Sequence, residues 1–178
     1  MKISHPHRSP NRKRIADDSG QAMLEFAIIA SLVIIMVFAI IDFGRALNQM
    51  QIMVDLTRQG SNLASRGTSL TDSANAVVAG DAPLNLNTSG EVIITSVTNN
   101  ASGNVITGQV AAGATSQASL VGTGVGTTAN LPSAAVQMLQ PGQTIYITEV
   151  FYNFAPITPI ATLINIVMPS TFYQVAYF

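Results

Sequence analysis

The apolar positions change their rhythm along the chain, and each rhythm predicts a different element. From Ala27 to Ile41 the run is almost unbroken, and eleven of the residues between Phe26 and Ile41 are Leu, Ile, Val or Phe. A hydrocarbon layer of about 30 Å needs about 20 helical residues, and Ala22 to Phe43 supplies that length with Glu25 and Asp42 at its two margins. Beyond it Phe43, Leu47, Met50, Val54, Leu56, Leu63 and Ala64 recur at spacings near three and four, which predicts a continuing helix with an apolar stripe. Gly67 is its expected stop. An unbroken helix from Gln21 to Arg66 would measure roughly 70 Å at 1.5 Å per residue. Its outer stripe should pack on a sheet, with Met50 and Met53 filling core space.

After Gly67 the pattern turns to strands and turns. Residues 68 to 90 are rich in Thr, Ser, Asn, Asp and Gly and read as a linker or loop. Glu91 to Thr98 and Val105 to Ala111 read as strands joined by a hairpin turn over Asn99 to Asn104. Gly113 to Asn130 is low in complexity and reads as a long mobile loop. Pro132 to Gln140 is expected to form a short helix ended by Pro141-Gly142. Thr144 to Phe154 is the clearest strand, because Ile145, Ile147, Glu149 and Phe151 alternate with Tyr146, Thr148, Val150 and Tyr152. Thr171 to Phe178 is placed beside it as an antiparallel partner. Ile157 to Met168 is apolar but too short to cross a bilayer, and it either packs on the sheet or forms an exposed docking patch. The predicted class is α+β: a long amino-terminal helix packed on a small antiparallel sheet. Its divisions are a basic leader over 1–20, a membrane helix over 21–43, the helix continuation over 44–67 and a β-rich head over 68–178.

Charge gives this rod a direction. Lys2, Arg8, Arg12, Lys13 and Arg14 precede Gly20, whereas only Arg45, Arg58 and Arg66 follow it. That asymmetry predicts a cytoplasmic amino terminus and a head on the far side of the membrane. Glu25 is the informative exception inside the greasy stretch. An acid at the centre of an inserted helix costs roughly 2.5 to 3.5 kcal/mol, while eleven large apolar residues at about 0.3 to 0.6 kcal/mol each give back roughly 3 to 7. Insertion tolerates Glu25 but does not explain it. Gly20, the small residue suited to cleavage, lies before the apolar run, so cutting there would leave the span on the mature protein and free an amine at Gln21. Glu25 would stand one helical turn from that amine, at the positive end of the helix dipole.

Several function classes fall away. The chain has no cysteine, and after Gly20 it has neither His nor Lys. Nucleophile activation by imidazole, thiolate or amine is therefore missing, and only a meeting of Asp72, Asp81, Glu91 and Glu149 would leave carboxylate chemistry open. No enzyme activity, cofactor or metal site is expected. Asp42-Phe43-Gly44 spells a kinase tripeptide without the glycine-rich loop or catalytic lysine that gives it meaning. The basic head is short and lacks interleaved aromatics, so no nucleic-acid partner is expected. Asp42 and Arg45 are three apart and read as a solvated ion pair at the membrane boundary, with pairing between subunits as the sharper reading.

The sequence Gly20, four residues, then Glu25-Phe26 and a hydrophobic stem resembles the processing site of type IV pilins and pseudopilins. Gly20 to Gly67, including Ile41-Asp42-Phe43-Gly44-Arg45-Ala46, Gln59-Gly60 and Ala64-Ser65-Arg66-Gly67, is similar to the TadE-like proteins of the tight-adherence pilus system. Val150 to Pro159 is similar to that family's aromatic and proline-bearing strand exit. The resemblance implies cleavage between Gly20 and Gln21 by a prepilin peptidase, with Glu25 and Phe26 as the recognition and assembly pair. It also implies partners among other pilin or pseudopilin subunits and the inner-membrane assembly machinery. The implied location is the inner membrane, spanned once through the lipid bilayer, with the head periplasmic and possible entry into the extracellular fibre. The implied role is a minor pilin or pseudopilin that primes, caps or joins the pilus. The alternative is an uncleaved, membrane-anchored binding module.

Overall fold

The computed structural model describes the backbone of residues 12 to 178, and the side chains from Gly20 onward except Met138. The charges of the basic leader, Lys2, Arg8, Arg12, Lys13 and Arg14, lie outside the residues whose side chains are described. One helix, α1 (Arg12–Ser65), dominates the molecule. No proline interrupts it, and its 54 residues extend roughly 80 Å. It stops at Gly67, whose φ of 92° is the left-handed turn that favours glycine. The Thr68 amide reaches back to the Leu63 carbonyl and the Gly67 amide to that of Ala64, satisfying carbonyls that the helix end leaves open.

The two halves of α1 are buried differently. From Gly20 to Ile41 the side chains are exposed, apart from partial cover at Ala30, Phe38 and Ala39. From Asp42 onward one stripe is buried: Asp42, Ala46, Gln49, Met53, Leu56, Gly60 and Ala64. Leu56 and Ala64 are buried as expected, but the earlier part of the expected stripe, from Phe43 to Val54, is displaced by about one residue, or about 100° around the helix. Phe43 and Leu47 face outward and Met50 and Val54 are half covered. The reason is distance: small residues let the helix lie close to the sheet, where larger ones would hold it away. Met53 does fill the core, as expected.

Residues 68 to 90 are not a simple loop. They hold α2 (Leu70–Ala79) and the short α3 (Leu86–Ser89). Ser69 caps α2 by accepting from the Asp72 amide, and the Asp72 carboxylate in turn accepts from the Ser69 hydroxyl. The polar composition that suggested a linker is also cap composition. Ala74 and Val77 of α2 join the main core.

The sheet consists of β1 (Gly90–Asn100), β2 (Gly103–Gly113), β3 (Thr144–Asn153) and β4 (Thr171–Tyr177), all antiparallel in the order β2-β1-β3-β4. The hairpin, the long strand and its carboxyl-terminal partner thus stand where the alternation placed them. Short helices α4 (Ser133–Met138) and α5 (Ala161–Val167) flank β3 in sequence. One sheet face carries Val92, Ile94, Thr148, Val150, Tyr152 and Phe172 against α1 and α2. The opposite face carries Glu91, Ile93, Val97, Ile147, Glu149 and Phe151.

That opposite face is covered by the segment expected to be a mobile loop. Val121 is buried with Val97, Ile106 and Ile147. The Gln109 side chain donates to the Gly122 carbonyl at 2.8 Å and accepts from the Gly124 amide at 3.2 Å. The Ile106 amide bonds the Thr127 carbonyl, and the Asn130 amide the Val121 carbonyl. Low complexity here reflects small residues that let a backbone lie flat on a sheet, and the segment is a packed second layer.

Candidate functional site

The residues expected at the processing site stand free on α1. Gly20, Gln21, Glu25 and Phe26 are all exposed. The Gln21 carboxamide donates to the Glu25 carboxylate at 3.0 Å across one helical turn. Nothing lies within 4 Å of where a Cβ on Gly20 would sit. Glycine inside a helix costs roughly 0.5 to 1 kcal/mol relative to alanine, and no packing contact among the described residues requires it here. From Met23 through Ile41, large apolar side chains cover the helix on every side. The segment Gly20–Ser65 is long and apolar enough to cross a membrane.

Asp42 and Arg45 are brought together, but not as a solvated pair. Asp42 is fully buried. Its Oδ1 accepts from the Ile157 amide at 3.0 Å, and its Oδ2 accepts from the Thr158 amide and hydroxyl. The Arg45 guanidinium lies 3.8 Å from Asp42. It donates to the Ala155 carbonyl at 3.4 Å and sits 6.0 Å from the centre of the Phe154 ring. That ring stacks on Phe172 at 5.1 Å. The expected boundary pair is therefore a clasp, with one carboxylate holding the strand exit 154–158 against the rod. A carboxylate with three donors and a neighbouring cation tolerates burial far better than a lone one.

Higher on the rod, three further contacts weld helix to sheet. The Gln49 amide donates to the Tyr152 hydroxyl at 3.2 Å. The Ser61 hydroxyl lies 3.0 Å from that of Thr148 and 3.1 Å from the Ala176 carbonyl. At Gly60 an added Cβ would meet two Thr148 side-chain atoms at 2.8 Å and Val77 at 3.1 Å.

The four carboxylates considered for a shared site are separately engaged. Asp72 belongs to the α2 cap, and Asp81 accepts from the Leu86 amide. Glu91 and Glu149 do share the loop-covered face, diagonal to each other across β1 and β3. Each serves the loop backbone: Glu91 accepts from the Gln117 amide, while Glu149 accepts from the Ser119 hydroxyl, from the Leu120 amide at 2.9 Å and from the Tyr173 hydroxyl at 3.0 Å. Burial and the adjacent Glu149 charge push the Tyr173 phenol well above its ordinary range, and Tyr177 shifts the same way for the same reasons. Among the described residues no group of three or more His, Asp or Glu is arranged to hold a metal. Sequence reading missed the role of Glu149, although an acid alternating with Ile147 and Phe151 on one strand face was its signal.

A bare apolar rod continuous with a helix welded to a small antiparallel sheet is an α+β architecture of stem and head. Its rod is TadE-like: residues 20–62 match the family model described as TadE-like protein. The match begins at Gly20 and ends within the welded half of α1. No curated protein and no solved structure matches the chain.

Proposed function

We propose that this chain is a minor pilin or pseudopilin that takes part in priming, tipping or joining a tight-adherence pilus. The observation that carries the reading is the exposed inner half of α1, an apolar surface on all sides interrupted by one acid, followed directly by a firmly attached head. A rod of this kind fits two environments in turn, lipid and then the packed stems of other subunits, where small residues and van der Waals contact replace solvent. Cleavage after Gly20 would place a new ammonium group one turn from Glu25. An unpaired acid in a low-dielectric bundle gains strongly from such a charge on a neighbouring stem. The basic leader orients the protein with its head periplasmic, and prepilin peptidase is the processing partner.

Two measurements on the protein in cells with an active prepilin peptidase test this. Intact-mass analysis of the membrane form should find Gln21 at the amino terminus, and Glu25→Ala should insert normally yet fail to enter the assembly. A chain that retains its leader, or a Glu25→Ala variant assembling as efficiently as the parent, overturns the proposal.

A further inference from the structure

Beside the clasp, the head presents an apolar surface that the core does not use. In α5 only Ile164 turns inward, while Leu163, Ile166 and Val167 form an outward stripe at the i, i+3, i+4 spacing of one helix face. Ile166 and Val167 are 76 and 77 % exposed, and Ile157 at the clasp is 66 % exposed. Such a patch calls for an occupant, and three observations identify it. First, it is continuous with the rod: Ile164, Val167 and Met168 line a cleft of about 550 Å³ together with Ala39, Ile40, Phe43 and Gly44. α5 therefore stands at the height where the stem is still hydrocarbon. Second, the clasp of Asp42 on Ile157 and Thr158 fixes that height. Third, no charged residue follows Glu149 in the chain. The one cation at the clasp, Arg45, is engaged by the Asp42 carboxylate and the Ala155 carbonyl, so the patch offers apolar side chains rather than free charge.

We infer that α5 and Ile157 form a foot that dips into the lipid surface beside the stem, burying the stripe at the boundary between headgroups and acyl chains. This rests on the reading of α1 as a membrane anchor. The foot holds the head against the membrane at a set depth, so extraction of the subunit would lift both stem and foot from lipid. Because burial of apolar surface drives it, the contact forms equally on zwitterionic lipid.

The chain contains no cysteine, so single labels report single sites. Ile166→Cys, Ile34→Cys and Ser102→Cys, each carrying an environment-sensitive fluorophore, are placed in the full chain at about one copy per phosphatidylcholine vesicle, with a fraction of the lipid carrying a shallow acyl-chain quencher. Ser102 is exposed in the β1–β2 hairpin, at the opposite end of the sheet. The inference expects quenching at 166 and at 34 at least about threefold above that at 102. Quenching at 34 with 166 no higher than 102 overturns the foot and leaves the anchor standing. No quenching at either site overturns the anchor and the foot with it. A label at 166 shielded from both lipid quencher and aqueous iodide shows that another protein copy occupies the patch, and also overturns the inference.

Discussion

The rod and the head treat apolar surface in opposite ways. Between Gly20 and Ile41 the large side chains face outward in every direction and the one acid, Glu25, is bonded to its neighbour Gln21. From Asp42 onward the same helix buries a stripe composed largely of small and polar residues, with sheet or strand-exit groups satisfying Asp42, Gln49 and Ser61. Hydrophobicity thus identifies where this helix meets something outside the chain, whereas close packing and satisfied polar groups identify where it meets the chain itself. The most apolar stretch contributes least to the fold.

That contrast is broken most severely at glycine. Gly60→Val would drive side-chain atoms into Thr148 and Val77, and Thr148 is fully buried and bonded to Ser61. Overpacking of this kind costs about 1 to 3 kcal/mol, and the β-branched residue puts the expectation at the upper end. Gly44→Ala, on the same helix where no atom lies within 4 Å of the new Cβ, should instead be neutral or stabilising by up to roughly 1 kcal/mol. Thermal unfolding in detergent, followed by the near-ultraviolet signal of the head tyrosines, measures both. Equal effects at the two glycines would erase the distinction between the open and the sheet-facing sides of the welded half.

Next in size is Glu149→Ala. It leaves the part-buried Leu120 amide, Ser119 hydroxyl and Tyr173 hydroxyl without their acceptor, and three donors that lose a charged partner together cost about 1 to 3 kcal/mol. The loss should show as faster amide exchange across residues 117–124 while α1 exchange stays unchanged. Uniform acceleration throughout the molecule would mean that the loop is not a separable layer. Asp42→Ala should cost a similar amount, about 1 to 3 kcal/mol, because it frees the buried Thr158 amide and hydroxyl together with the part-buried Ile157 amide. Its mark is local: the amides of Ile157 and Thr158 lose protection, and the Arg45 contact to Ala155 loosens. Retained protection at both amides would show that the clasp does not hold the strand exit.

Much of this design was legible in the residues. The rod, the hairpin, the long strand β3 and its partner β4 followed from unbroken, alternating and turn-bounded patterns, because each of those patterns has one structural solution. The first part of the stripe on the outer rod, Phe43 to Val54, was misplaced because periodicity ranks residues by greasiness, whereas a helix lying on a sheet selects Ala46 and Gly60 for their size. Asp42 was expected at a wet boundary, since nothing local to it reveals that Ile157 and Thr158, more than a hundred residues later, return to donate to it. The 113–130 layer and α2 were hidden for a related reason. Glycine, serine and threonine suit a loop packed on a sheet or a capped helix as well as they suit a solvated linker, and tertiary contact decides between them.

The smallest expected effect separates rod from head by pH alone. Tyr173 and Tyr177 hold their protons more tightly in the fold than the ordinary phenol value of 10.0. For a group whose folded pKa is raised, the stabilisation is complete below the unfolded value and is lost as pH climbs through the folded one. The head should therefore be insensitive to these groups below pH 10 and lose stability progressively above it. Tyr173→Phe should flatten that slope in part, leaving the Tyr177 share. Between Gly20 and Ile41 the rod has no Tyr, Lys or Arg, so its helical far-ultraviolet signal should persist in lipid at a pH that abolishes the tyrosine signal of the head. If both signals fall together, the rod depends on the head for its structure, and the independence drawn from the exposed inner half is wrong.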